Sequence, residues 1–567
     1  EYDRALLYLL ALVLFGAGGR SVLRLRWMVW GLALAIVAIA VAALGARLVP
    51  DLVPTTENVH PDRLAFPLTY WNSLGVLMAI GLVLCGHLAC SERDPGAVRV
   101  LGAASIPLLA TTLYFTYSRG GTWTALVGVG LYAVLARPRG LVAGALATAP
   151  TTLIALMKVN PPGIVIKAPG TPAADQLGQE MALVIVLCAV AAGVIRLALL
   201  PLDRWTSSLA IPRLPRPAVA AAVVVGVLLA AGGAVAADAP TKAGDTVDRF
   251  FDEDTKPGGA SGGRLLSASG NGRVDHWRVA LNGFHTDELK GEGAGTYEIR
   301  WLLDRKGSLV VQDAHSLYLE TLSELGIVGL LLLATALLAL LGGVAWRVRG
   351  PDRALHAAVL AAMVVWIVHA GLDWDWEVPA VTLWLFALAG AAVAREPRRR
   401  DGGEPPRRGR TAVGIAGRVG AVGGCVLLAL APAQMALAQG ELLEGRQAVQ
   451  DGDCRAAVAH AAEALEHVDS LVGPRQLLTW CAVRSGDPRD GVAPMRAAIA
   501  KDPGNWEAQY DLAVALAAAG EDPRAPALAA IRGNRLDSLA RVAGRLYAAR
   551  TKAGRERLGR AAPLLLP

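Results

Sequence analysis

The sequence predicts an all-α, polytopic membrane protein of about 12 transmembrane helices. Hydrophobic residues make up 54% of the 567 residues, charged residues make up only 18%, and the mean hydropathy is +0.42. This composition is typical of membrane proteins and not of soluble domains. Apolar segments also recur along the chain, and most of them reach the roughly 17 to 20 residues that a helix needs to cross a bilayer.

Short polar loops separate the apolar segments, as in a bundle that crosses the membrane repeatedly. The first and sixth segments are short, and a long polar insertion, 238–320, separates the eighth from the ninth. Residues 1–394 are therefore predicted to form one transmembrane domain. The predicted spans are 5–19, 27–45, 71–90, 100–117, 121–136, 141–156, 181–200, 218–237, 325–345, 355–370, 378–394 and 419–437.

Lysine and arginine residues predict the orientation of these helices. One set of loops carries 21 of them, whereas the opposite short loops carry 5. Because cytoplasmic loops are enriched in these residues, the first set is predicted to be cytoplasmic and the insertion 238–320 to face outwards. The net charge of +7 then reflects topology and not nucleic-acid binding. The richer set is 20–26, 91–99, 137–140, 196–216, 347–353 and 395–410; the opposite set is 46–70, 118–120, 157–180 and 371–377.

The C-terminal part changes to a soluble, helical composition. An arginine-rich stretch, 395–410, is predicted to be a cytoplasmic linker, and 411–438 the last transmembrane helix. Within 439–567, pairs of glycine and an acidic residue recur every 34 residues, the first at Gly452. This period, with glycine at the turn between helices, is typical of tetratricopeptide repeats. We expect a tetratricopeptide-like domain on the outer side that binds protein or glycan.

Two of the six cysteines, Cys454 and Cys481, lie in this C-terminal domain. The six cysteines show no metal-ligand spacing. Outside the cytoplasm a disulfide between the two is permitted. Two buried thiols, used as small apolar residues, are the alternative.

Polar residues at a predicted membrane boundary are concentrated in three stretches. The main one, residues 312–329, closes the insertion and runs into an apolar segment, so it brings His315 to the membrane surface. At helical spacing His315, Leu319 and Gly326 would share one face. The second stretch is Tyr-Ser-Arg-Gly-Gly at 117–121. The third is Gly-Arg-Val-Asp-His-Trp-Arg at 272–278, which is followed by Gly-Glu-Gly-Ala-Gly-Thr at 291–296.

Together, in this order, the three stretches resemble the signature of the bacterial O-antigen ligase/polymerase family, over roughly residues 1–395. The resemblance implies a GT-C-type membrane domain and an inverting glycosyltransferase that needs neither metal nor cofactor. It would move a glycan from a polyprenyl diphosphate carrier to an acceptor hydroxyl, on the outer face of the cytoplasmic membrane. It implies that His315 is the catalytic residue and that Arg119 and Arg273 bind the donor diphosphate.

These residue types suit that chemistry. Arginine presents a fixed, always-charged fork to phosphate oxygens, and histidine can take a proton near neutral pH. Ordinary explanations remain open: Arg119 as an interfacial arginine, Arg273 as a solvated helix charge, and His315 as a helix cap. Four further residues are expected to line the cleft: Asn72, Trp277, Tyr318 and Asp373.

Asp373 and Asn72 also have simpler interpretations. Asp373 and Asp375 form an Asp-x-Asp pattern that can bind Mg²⁺, but the tryptophans beside them indicate an aromatic belt, and no metal is predicted. Asn72 could equally be the N-cap of a membrane helix. His276 and His285 have no supporting pattern and are predicted to be loop residues.

Two other functions fit parts of the sequence. A polysaccharide or lipid-linked glycan transporter would place ionisable residues at mid-membrane, whereas here the polar groups gather at one face. A membrane anchor that displays a tetratricopeptide scaffold would not need the motifs of His315 and Arg119. The expected partners are a lipid-linked glycan donor, an acceptor that is a glycan, lipid or protein, membrane lipids and an envelope protein at the repeat domain. Nucleic acid is not among them.

Overall fold

A computed structural model of the chain gives its architecture. It describes residues 2–18, 21–51, 53, 63–159, 171–203, 272–394 and 412–566. Within these ranges every regular element is a helix, so the predicted all-α class is confirmed. The predicted span 218–237, the first part of the insertion at 238–271 and the linker 395–410 lie outside the described residues.

The N-terminal helices form a bundle around α3. They are α1 (Tyr2–Gly18), α2 (Val22–Leu48), α3 (Trp71–Cys90), α4 (Gly96–Thr116), α5 (Arg119–Ala136), α6 (Leu141–Val159) and α7 (Pro172–Ala198). Helix α3 is buried along most of its length and packs against α4 and α5, and α7 packs against α4 and α6. Ser118 begins α5 because its hydroxyl accepts a hydrogen bond from the Gly121 amide at 3.1 Å, which satisfies one of the free N–H groups of the first turn.

Five helices follow in the next described stretch: α8 (Arg273–Phe284), α9 (Tyr297–Asp304), α10 (Leu317–Arg347), α11 (Arg353–Ala370) and α12 (Pro379–Val393). Helix α11 is central and packs against α5 and α3, whereas α12 packs against α1. Helix α10 lies at the edge of the bundle and exposes large apolar side chains such as Leu332 and Leu338. Such exposure is what contact with lipid requires.

Seven of the described helices are long and apolar enough to cross a membrane: α2, α3, α4, α6, α7, α10 and α11. Helix α12 is a shorter apolar helix, and α1 and α5 form where spans are predicted. The chain is therefore a multi-pass membrane protein.

The C-terminal part is a series of packed helices. They are α13 (Ala412–Gln450), α14 (Cys454–His467), α15 (Gly473–Ser485), α16 (Val492–Lys501), α17 (Trp506–Ala518), α18 (Arg524–Gly533), α19 (Ser538–Ala548) and α20 (Lys552–Ala561). Helix α13 continues across residue 438, where the last span is predicted to end. Gly452 and Gly520 lie at turns with φ of 79°, whereas Gly486 has φ of −129°. The tetratricopeptide assignment stays a prediction. A disulfide joins Cys454 to Cys481.

The segment that contains α8 and α9 has a small core of its own. Val279, Ala280, Tyr297 and Trp301 are buried together there. This segment contacts the C-terminal part, where the buried Arg305 donates a hydrogen bond from Nη2 to Asn534 Oδ1 at 2.6 Å. The C-terminal helices therefore pack against the segment that leads to His315.

Candidate active site

Asp373 is the centre of a hydrogen-bonded cluster at one end of the bundle. It lies in the loop between α11 and α12, and its side chain is only 2% exposed. Its carboxylate accepts hydrogen bonds from Tyr70 Oη at 2.6 Å, from Asn72 Nδ2 at 2.5 Å and from Arg273 Nη2 at 2.6 Å. The cluster therefore joins the start of α3, the start of α8 and the α11–α12 loop.

The charges of Asp373 and Arg273 stabilise each other. Burial alone would raise the pKa of the Asp373 carboxyl, but the Arg273 guanidinium and two nearby histidines lower it to about 2. Burial likewise works against the charge of Arg273, yet Asp373 raises its pKa. Arg273 also donates from Nε to the Leu372 carbonyl at 2.8 Å. Both groups are therefore ionised at neutral pH, and α8 is held against the α11–α12 loop.

Asn72 is not the helix cap that one interpretation of the sequence expects. The N-cap of α3 is Tyr70, whose side chain makes no capping bond. Asn72 lies inside the first turn, is buried, and donates from Nδ2 to Tyr70 Oη at 2.9 Å as well as to Asp373. The N-cap interpretation is wrong because α3 already begins at Trp71, so Asn72 lies within the helix, and its amide donates to the buried carboxylate of Asp373.

His315 lies just before α10, in a left-handed backbone conformation with φ of 53°. The helix begins at Leu317 after the N-cap Ser316, so the predicted helical face shared by His315 and Leu319 is wrong. The imidazole Nδ1 is 3.1 Å from the Asp313 carbonyl oxygen. Because a carbonyl oxygen only accepts, Nδ1 carries the proton, and Nε2 of the neutral ring has the lone pair.

His276 lies beside His315, with 4.7 Å between the ring centroids. It is predicted to be a loop residue, and that prediction is wrong: it is buried in α8, edge-on to Trp301. Burial, assisted by His315 and Arg273, lowers the pKa of His276 to about 3. Burial also lowers the pKa of His315. The signal for His276 is its place three residues after Arg273, on the same helical face.

His285, the other histidine predicted to lie in a loop, caps the end of α8. Its side chain is 66% exposed and pairs with Glu288. It is therefore outside the cluster around Asp373.

The turn that carries Arg119 is closely packed beside a further histidine. Arg119 is the first, half-buried residue of α5. A Cβ atom at Gly120 would lie 2.9 Å from Nε2 of His369, and one at Gly121 would lie 2.9 Å from the backbone of Gly75. The glycines after Arg119 therefore allow α5 to approach α3 and α11. This places Arg119 at the same end of the bundle as Asp373.

His369 and Asp375 form a buried pair that the sequence does not reveal. Nδ1 of His369 is 2.9 Å from Asp375 Oδ1, and both side chains are 1% exposed. The carbonyl of His369 accepts the backbone N–H groups of Leu372 and Asp373, at 2.8 and 3.1 Å. His369 therefore supports the loop that contains Asp373. A histidine in the last turn of an apolar helix gives no pattern by which to find this.

The family model described as O-antigen ligase matches residues 179–334 of the chain. The chain carries an O-antigen ligase domain. The match includes Arg273, His276 and His315, whereas Arg119, Asn72 and Asp373 lie outside it. No curated protein matches the chain. Proteins with an O-antigen ligase domain transfer glycans between lipid-linked donors and acceptors in membranes, so the chain is a glycosyl-transferring membrane enzyme at the level of the family.

The O-antigen ligase domain contains a break in α10, at the Glu-Leu-Gly-Ile sequence of 324–327. Gly326 has φ of 63° and ψ of −165°, which interrupts the helix. The turn at 288–293 replaces the lost helical bonds: Ile327 N donates to the Glu288 carbonyl at 2.9 Å, and Gly293 N donates to the Glu324 carbonyl at 2.8 Å. The Glu324 carboxylate accepts the amides of Gly295 and Tyr297 at 2.9 and 3.0 Å. The break fixes the segment that contains α8 and α9 on α10.

The two remaining predicted residues, Tyr318 and Trp277, lie within the matched O-antigen ligase domain. Tyr318 donates to the Ile367 carbonyl at 2.7 Å and packs against Gly371. It therefore holds α10 against α11 and does not point to Asp373. Trp277 lies half-buried near the start of α8, one residue after His276.

The carboxylates near the O-antigen ligase domain differ in whether their positions would suit a metal ion. Asp373 and Asp375 face different partners, namely Arg273 and His369, so they do not act as a pair. Oxygen atoms of Asp313, Glu320 and Glu377 lie within 4.8 Å of one another, a donor set of the kind that hard cations use. Within the described part of the chain, however, Glu377 already pairs with Arg4 at 2.6 Å and Glu320 accepts the Ala314 amide at 2.7 Å.

Proposed function

We propose that the chain transfers a glycan from a polyprenyl diphosphate carrier to an acceptor hydroxyl, with His315 as the general base. The observation that carries this proposal is the hydrogen bond from Nδ1 of His315 to the Asp313 carbonyl. It leaves the Nε2 lone pair as the basic atom of a half-buried imidazole. Burial lowers its pKa, so the ring is neutral and able to accept a proton at pH 7.

The reaction would be a single displacement. Nε2 of His315 takes the proton of the acceptor hydroxyl while the acceptor oxygen forms a bond to the anomeric carbon. The bond from that carbon to the phosphate oxygen breaks, and the diphosphate leaves with the electron pair. Because one bond forms opposite the one that breaks, the configuration at the anomeric carbon is inverted. No metal is needed in this scheme, because arginines neutralise the leaving group.

Arg273 and Arg119 would bind the diphosphate. Two nitrogen atoms of Arg273 contact Asp373 and the Leu372 carbonyl, so a ligand would approach its Nη1 edge. Asp373, with its donors Tyr70 and Asn72, then acts as the positioning group that fixes this guanidinium. Arg119 begins α5 beside His369 at the same end of the bundle. A guanidinium at a helix N-terminus adds to the positive potential there.

The proposed site lies on the outer face of the cytoplasmic membrane. The charge distribution of the loops supports this orientation. Nucleotide sugars are not supplied on that face, so the donor is expected to be lipid-linked. The acceptor is a glycan, a lipid or a protein with a free hydroxyl group.

The first test compares His315→Ala with His285→Ala, which removes an exposed histidine of the same segment. We expect His315→Ala to bind the lipid diphosphate donor within a few-fold of wild type while transfer falls by roughly 10²- to 10⁴-fold, because a general base contributes about that much. His285→Ala should retain both. Donor binding and turnover are measured on the same purified protein in lipid. If donor binding and transfer are lost together, His315 holds the donor or the fold and is not the base.

The second test exchanges arginine for lysine. A lysine keeps the charge but loses the planar fork, so Arg119→Lys and Arg273→Lys should each weaken donor binding by about tenfold or more. Arg278→Lys is the matched control, since Arg278 lies in the same helix as Arg273 and pairs only locally with Asp275. Normal donor binding in both site variants would remove the arginines from the mechanism.

A further inference from the structure

A polar cavity lies at the end of the bundle opposite the cluster around Asp373. It has a volume of about 410 Å³ and is bordered by the start of α2 and by the α3–α4, α5–α6 and α10–α11 loops. These are the loops that the charge distribution predicts to be cytoplasmic. The cavity walls carry five arginines: Arg26, Arg93, Arg137, Arg139 and Arg353.

The positive charges of this cavity outnumber the negative ones. The acidic residues in its walls are Glu92, Asp94 and Asp352. Arg93 pairs with Asp352. Arg139 lies 4.0 Å from Glu92 and Arg26 lies 3.7 Å from Asp94, which also accepts a hydrogen bond from Trp30 Nε1 at 3.0 Å. Five arginines against three carboxylates leave a formal excess of two positive charges. A concave surface with such an excess attracts an anion.

An apolar groove of about 240 Å³ adjoins this cavity between α3, α4, α5 and α6. Cys90 lines both spaces. His87, in the wall of the polar cavity, has its Nδ1 3.0 Å from the hydroxyl of Tyr132, in the wall of the groove. At Gly86, also in the groove, a Cβ atom would meet nothing within 4 Å. The groove therefore has open apolar space next to the polar cavity.

We propose that the cavity and the groove together bind one anionic phospholipid. Its phosphate would lie among the arginines and one acyl chain would lie in the groove. A free phosphate would fill only the polar part, whereas a zwitterionic lipid would not use the excess positive charge. Arginines near a membrane surface attract anionic head groups, and guanidinium groups bind phosphate oxygens in a fork. The groove opens towards lipid, because Val129 in its wall is 44% exposed on the bundle surface.

The test uses native mass spectrometry of the full-length chain in detergent, with equal amounts of dioleoylphosphatidylglycerol and dioleoylphosphatidylcholine. We expect one molecule of the phosphatidylglycerol to be retained in preference. The double variant Arg137→Gln/Arg139→Gln and the single variant Gly86→Leu should each reduce that retention by about tenfold or more.

Two matched controls should retain the lipid as wild type does. Arg349→Gln removes an arginine from the same end of the bundle, outside the cavity, where it stacks on Trp346. Gly31→Leu adds a side chain to the exposed face of α2, where a Cβ atom also meets nothing within 4 Å. If Gly86→Leu does not fold, Val129→Trp replaces it, since that change narrows the groove from its exposed side.

Equal retention of the two lipids would overturn the proposal. So would an unchanged retention in either the arginine or the groove variant. If inorganic phosphate displaces the lipid, and the groove variant retains the lipid as wild type does, the cavity is a simple anion site and not a lipid site. Lipid retention is measured without glycan transfer, so its result does not depend on the proposed activity at the other end of the bundle.

Discussion

At the scale of single residues, two charges act in opposite directions on His315. Burial has the largest effect on its imidazole and lowers the pKa from its ordinary value of 6.5. The Asp373 carboxylate raises that pKa, and the Arg273 guanidinium lowers it. If the neutral ring is the base, transfer is lost on the acidic side as His315 takes up a proton. The midpoint of that loss is expected below pH 6.5.

Neutral variants of the two charged neighbours should move this midpoint in opposite directions. Arg273→Gln removes a cation that disfavours protonation, so the pKa of His315 rises and the midpoint shifts to higher pH. Asp373→Asn removes an anion that favours protonation, so the midpoint shifts to lower pH. The measurement is the transfer rate of each variant between about pH 4.5 and 8, normalised to its own plateau. Shifts of the same sign, or none, would mean that the titrating group is not His315.

The sequence indicates several residues of this candidate site one by one, but it does not predict the contacts between them. His315, Arg273, Asn72 and Asp373 were expected from motifs at separate places in the chain. Asp373 contacts partners that are 100 and 301 residues away, and no local pattern links such positions. The sequence does not reveal His369, because its buried contact with Asp375 produces no pattern in the hydropathy of the chain.

At the scale of elements, α10 shows where periodicity fails. Its apolar repeat predicts a continuous helix, and the helix is interrupted at Gly326. A Cβ atom there would lie 2.4 Å from the backbone of Leu289. The break exists because the turn at 288–293 supplies hydrogen bonds to the interrupted helix. The turn and the helix are distant in the chain, and the trace of their contact in the sequence is a single glycine. The helices themselves, which depend on apolar length, were predicted well.

The break at Gly326 can be tested by adding a methyl group. Gly326→Ala forces a non-glycine residue into a backbone conformation, φ 63° and ψ −165°, that is almost restricted to glycine and costs roughly 1–3 kcal/mol, and it also clashes with backbone that cannot rotate away. We expect a clear loss of thermal stability in detergent. Gly342→Ala in the same helix is the control, because a Cβ atom there meets nothing within 4 Å. Equal melting temperatures for the two variants would show that the break does not need glycine.

The C-terminal helices contain another contact that the sequence pattern does not decide. Spacing alone left open whether Cys454 and Cys481 form a disulfide or remain two thiols. The structure joins them, across 27 residues and between α14 and α15. A crosslink of that size stabilises a domain by roughly 3 kcal/mol when loop closure dominates. Disulfides persist in oxidising compartments, which supports the proposed position of this domain outside the cytoplasm.

At the scale of the whole molecule, the two ends of the bundle differ in the kind of charge they contain. One end holds Arg273, Asp373 and the histidines. The other holds buried arginine pairs such as Arg196 with Asp203 and the arginine-lined cavity. The arginine-rich end is the one that the loops predict to be cytoplasmic. The contact of Arg305 with Asn534 requires the C-terminal domain to lie on the side of His315.

This arrangement predicts which positions are accessible from outside the cell. Single cysteines at Asp287 and Gly504, both exposed, should react with a membrane-impermeant maleimide in intact cells. A cysteine at Arg349, exposed at the opposite end, should react only after the membrane is permeabilised. The parent protein gives the background from its own cysteines. Labelling at 349 from outside would mean that the bundle is inverted and that the proposed transfer site lies in the cytoplasm. Labelling at 287 without labelling at 504 would mean that the C-terminal domain does not lie beside the segment that it contacts in the structure.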